Sequence, residues 1–76
     1  MTLYQTFICI RHGDVFEINA QADTASEAGA LALTHHLGHG YKIVDSKVSQ
    51  CGKLTGNVLD TFGLKAIGTI TCEPIS

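Results

Sequence analysis

Residues 16–28 read Phe16-Glu17-Ile18-Asn19-Ala20-Gln21-Ala22-Asp23-Thr24-Ala25-Ser26-Glu27-Ala28, and the hydrophobic period changes inside that run. Up to Ala22 the pattern alternates. Phe16, Ile18, Ala20 and Ala22 form one face, while Val15, Glu17, Asn19 and Gln21 form the other. A period of two marks a half-buried strand over residues 15–22. At Thr24 the chemistry turns helical. Thr24 is an N-cap residue, and Glu27 three positions on completes a capping box. Asp23 and Glu27 also suit the positive end of a helix dipole. Residues 25–37 are mostly good helix formers, with Ala30, Leu33 and Leu37 on one stripe flanked by Leu31. Gly29 costs about 1 kcal/mol there relative to Ala, unless a small residue lets the helix lie close to a sheet. Gly38 or Gly40 ends the helix.

The rest of the chain is read outward from that junction. Residues 3–11 are rich in aromatic and β-branched types and form a strand. His12-Gly13-Asp14 is a turn, so residues 3–22 make a hairpin. Residues 41–48 form a third strand. Residues 50–57 read as a polar turn around Gly52 and Gly56, and residues 58–63 as either a short helical turn or a loop. Residues 64–72 form a last strand stopped by Pro74. The expected fold is a single α+β domain over residues 1–76: a small antiparallel sheet in the order β-β-α-β-β, with one helix packed on one face.

The first strand is apolar on both faces: Phe7 and Cys9 on one, Ile8 and Ile10 on the other. Turn length decides which pair joins Phe16 and Ile18 under the helix, because a one-residue slip reverses the faces. An even loop buries Phe7 and Cys9, and an odd loop buries Ile8 and Ile10. Either way an apolar pair faces away from the helix. Residues 54–64 fold over that pair, or another chain covers it.

Composition limits the function. The chain has 76 residues, 45% of them hydrophobic and 16% charged, with a formal net charge of -2. It is too apolar to be intrinsically disordered. It is neither basic enough to bind nucleic acid through bulk charge nor acidic enough to imitate it. With no Trp, two Tyr and three Phe, a base-stacking platform is not expected. A domain this small has little room for a deep pocket, so an enzyme is not expected. The three cysteines Cys9, Cys51 and Cys72 cannot close a disulfide framework. They are read as free thiols in a reducing cytoplasm, with Cys9 and Cys72 in apolar strands and Cys51 more exposed. No leader segment and no membrane span is read in the sequence.

Two short patterns carry chemistry. Arg11-His12-Gly13 after an apolar strand resembles the Arg-His-Gly signature of the histidine phosphatases, in which the His accepts phosphate. That family draws a second Arg and His from a much longer chain, so a hairpin turn that needs Gly is the reading adopted. His35, His36 and His39 could ligate a metal. No carboxylate or thiol nearby in sequence completes a site, and histidines at a helix C-terminus also satisfy the dipole. No metal or cofactor is expected. Asp14, Glu17, Asp23 and Glu27 make the first half acidic, while Lys42, Lys47, Lys53 and Lys65 make the second basic.

The run at residues 16–28, the alanine-rich helix after it and Tyr41-Lys42-Ile43-Val44 are together similar to a layout used by small phage-encoded inhibitors. These include anti-CRISPR proteins acting on type I surveillance complexes and a phage inhibitor of bacterial RNA polymerase. The likeness covers about residues 4–48 and lies in topology. It implies a non-enzymatic inhibitor that docks a host protein or nucleoprotein complex. The candidate interface is Ile8 and Ile10 with Asp14, Glu17 and Asn19 as its polar rim. A homodimeric accessory protein and a small histidine-based metal module are the alternatives.

Overall fold

A computed structural model of the chain describes residues 2–75. The elements follow in the order β1 (Thr2–Ile10), β2 (Val15–Ala22), α1 (Ala25–Leu37), β3 (Tyr41–Val48), β4 (Leu54–Asp60) and β5 (Lys65–Pro74). The five strands form one sheet in the spatial order β2-β1-β5-β4-β3, and every neighbouring pair is antiparallel. The α+β class and the single helix packed on the sheet match expectation.

One element differs from the sequence reading. Residues 54–60, read as part of a turn and a loop, are strand β4, placed between β5 and β3. The turn is confined to residues 49–53, where Ser49 N donates to Lys53 O and Gly52 N to Ser49 O. Gly56 is a close-approach residue and not a turn residue. A Cβ there would stand 2.8 Å from Ile43 Cγ2 and 3.2 Å from the Val44 carbonyl oxygen. Inside a strand, glycine often marks such contact.

The first hairpin settles the register. Ile10 N donates to Asp14 O, Gly13 N donates to Ile10 O, and Gly13 has φ 101°. This is a three-residue loop closed by a left-handed glycine. It pairs Ile8 with Phe16 and Thr6 with Ile18, so the odd-loop alternative holds. Ile8 and Ile10 therefore lie under the helix, where Ile8 is fully buried and Ile10 packs against the core. Neither belongs to an exposed interface, and Phe7 and Cys9 occupy the outward positions instead.

The helix begins as its capping residues direct: the Glu27 N–H donates to Thr24 Oγ1 at 3.2 Å. It ends at Gly38, with φ 85°, whose N–H donates to the carbonyls of Leu33 and Thr34. Its buried stripe is Ala25, Ala28, Gly29, Ala32 and Leu33, and Ala30 is exposed. The stripe is thus rotated from the one read in sequence, because small side chains seat the helix close to the sheet. At Gly29 a Cβ would come within 2.8 Å of Ile43 Cδ1. Beneath the helix, Ile8, Leu54, Val58, Ile70, Tyr4 and Cys72 complete the core.

Candidate functional site

Among the described residues no helix lies on the second face of the sheet. Residues 54–60 do not fold over it, because they are a strand within the sheet. The cross-strand register orders its side chains into rows. One row runs Glu17, Phe7, Thr71, Thr55, Lys47 from β2 to β3. The next runs Val15, Cys9, Thr69, Asn57, Val44. Phe7, Cys9 and Val15 are therefore contiguous and form an apolar spot beside β2. Glu17 borders it directly, Asn19 is exposed further along the strand, and Asp14 is exposed at the hairpin tip. A row of threonines occupies the middle of the face, and Lys42 and Lys47 line the far edge.

On this face a single carboxylate, Glu17, stands on β2, and two lysines, Lys42 and Lys47, stand on β3 on either side of Asp45. An apolar centre with a polar rim can dock a protein surface, and opposite charge at the two edges fixes the orientation of whatever docks. Of the residues expected at an interface, Asp14, Glu17 and Asn19 lie at this face or its edge, while Ile8 and Ile10 do not. Phe7, Cys9 and Val15 take their place, and the parity of the turn was the signal for them.

The histidines do not assemble. His36 stacks on Phe16 at 5.1 Å between ring centroids, and His35 meets His36 edge-on at 4.9 Å. His39 is exposed beyond the C-cap. Among the described residues no group of three or more His, Cys, Asp or Glu is placed to hold a metal. Arg11-His12-Gly13 is the hairpin loop itself.

The cysteines separate by environment. Cys72 is fully buried beneath the helix, where Thr6 Oγ1 donates to its sulfur at 3.1 Å. Burial pushes its thiol pKa up. Cys51 is exposed at the β3–β4 turn. A hydrogen bond with the Ser49 hydroxyl, at 3.0 Å, holds its thiol below the ordinary value. Cys9 is exposed on the uncovered face, contrary to its reading as a buried hydrophobe.

Two features escaped the sequence reading. A shallow cleft of about 290 Å³ lies between α1 and β3, over Leu33, Ile43 and Leu54. Its lining contains no carboxylate, histidine or thiol, and its titratable residues are Tyr41 and Lys42. The β4–β5 loop presents Phe62 at 92% exposure. Thr61 N and Oγ1 both donate to the Gly40 carbonyl, and Phe62 N donates to Asp60 Oδ1. Comparison with protein-family models, with curated proteins and with solved structures gave no match to this chain. Among the described residues no helix is long and apolar enough to cross a membrane.

Proposed function

We propose that this protein is a non-enzymatic interaction module that blocks a partner protein by covering part of its surface. The observation that carries the reading is the uncovered sheet face, where Phe7, Cys9 and Val15 sit beside the acidic Glu17 and opposite a lysine edge. The partner fitted to it is a host protein or nucleoprotein complex with an apolar spot flanked by basic side chains. The resemblance read in residues 4–48 to the layout of small phage-encoded inhibitors narrows the proposal to an anti-CRISPR protein acting on a type I surveillance complex. Three unpaired cysteines support action in a reducing cytoplasm.

The test is binding to a purified type I surveillance complex, with wild type and the double variant Asp14→Lys/Glu17→Lys compared. Both positions are exposed, so the fold tolerates the change. The proposal expects capture of the wild type, inhibition of target-DNA binding or cleavage, and at least tenfold weaker capture of the variant. Equal capture of both proteins removes the acidic edge from the account. No capture by type I complexes from several sources removes the anti-CRISPR assignment.

A further inference from the structure

Among the described residues the sheet has two free edges, β2 and β3, and they are built differently. The β3 edge is guarded. Its pairing with β4 shifts register between Val44 and Lys47, Asp45 within the shift has φ 53°, and Lys42 and Lys47 flank it. Bulges and edge lysines are devices that prevent strands from joining. The β2 edge has none of them. Its eight residues pair with β1 from Val15 to Ala22 without a shift, and they include no Pro, Gly, Lys or Arg.

The hairpin closure identifies which groups are free. Ile10 and Asp14 are a hydrogen-bonded pair, and such pairs alternate along an antiparallel ladder. Phe16, Ile18, Ala20 and Ala22 therefore bond to β1. Val15, Glu17, Asn19 and Gln21, all exposed, direct their N–H and C=O groups outward.

We infer that β2 is a self-pairing edge: two copies of this chain join antiparallel through β2 into one continuous sheet. The strand is complementary to itself in one register, centred on Ile18. There Ile18 meets Ile18 of the second copy at close-spaced positions, and Phe16 meets the small Ala20 of the second copy. The Glu17 carboxylate lies opposite the Asn19 amide. The four outward-bonding residues of each strand are all paired, giving about eight main-chain hydrogen bonds. Sliding two residues one way places Glu17 opposite Glu17 of the second copy, which is unfavourable. Sliding the other way shortens the ladder and sets Ile18 against Ala20 of the second copy. On the helix side, Leu31 is 48% exposed and shares the helix flank of His35, one turn on. Phe16 and Ile18, both half-buried, supply the apolar contact along the seam on that side. A seam of one strand per copy is a small interface, at the weak end of protein–protein association.

This inference needs only the edge and stands apart from the identity of any other partner. Sedimentation equilibrium of the full chain, from ~1 μM to ~1 mM, tests it. The expected result is a mass rising from one chain to two. Asn19→Pro removes an outward N–H that β1 does not use, and it leaves a monomer whose circular dichroism is unchanged. Asn19→Glu sets a second carboxylate against Glu17 and weakens the dimer roughly fivefold; Asn19→Lys strengthens it by a similar factor. Cys9, on the uncovered face and away from the seam, stays open to alkylation in the dimer. A mass of one chain throughout the range overturns the inference. A dimer indifferent to both charge variants, or one that shields Cys9, does so as well.

Discussion

Ile8 and Phe7 are neighbours in sequence and lie on opposite sides of one strand. Ile8 is fully buried between the sheet and α1, while Phe7 is half-buried among Glu17, Thr71 and solvent. The helix-covered face is a packed core of aliphatic and small residues. The uncovered face is a threonine-rich surface with an apolar spot beside β2, Glu17 on that strand and lysines on β3. One face holds the domain together, and the other is free to bind. Mutations that separate stability from binding should divide along that plane.

The largest expected effect is at Ile8. Ile8→Ala opens a cavity at a fully buried site and costs about 3–4 kcal/mol. A domain of this size has little more stability than that, so thermal or urea melting should find the variant largely unfolded. A well-folded Ile8→Ala protein would show that the hairpin register is the opposite one. Gly68→Ala comes next, at about 3 kcal/mol, because a Cβ at that buried position would collide with the Cys9 carbonyl oxygen, which is backbone and cannot rotate away. Phe7→Ala, on the other face, should cost about 1 kcal/mol in urea denaturation and still lose partner binding. Loss of stability as large as at Ile8 would erase the distinction between the faces. The smallest effect is at Thr6, the buried polar residue of the core. Thr6→Val keeps the shape and removes a hydroxyl that donates to the weak acceptor Cys72 Sγ, so the urea midpoint should barely move.

The parts of the fold legible in sequence were those set by local chemistry. The alternation through residues 15–22 and the cap at Thr24 depend on neighbours a few positions away, and both elements lie where those signals put them. Strand β4 was not legible. Gly56 and Asn57 resemble turn residues, and the reason for Gly56 is Ile43, which is distant in sequence and reached only once β3 and β4 pair. The outward face was legible as an alternative and not as an answer: its identity depended on the left-handed Gly13, which makes the loop odd. The placement of the charges followed the same logic. The acidic and lysine-rich halves are plain in the sequence, but the strand order, which sets β2 and β3 at opposite edges, is a long-range property.

The three cysteines report the two faces directly, since one lies on each and one at a turn. Alkylation of the native protein, read residue by residue by mass spectrometry, tests the plane on which the account rests. Cys51 should react fastest at neutral pH, because a thiol held below its ordinary pKa by Ser49 carries more thiolate, and its rate should fall as the pH drops through that lowered value. Cys9 should react in the folded state. Cys72 should react only on unfolding, in step with the loss of circular dichroism. A folded protein in which Cys72 is labelled and Cys9 is protected would reverse the two faces and contradict the account.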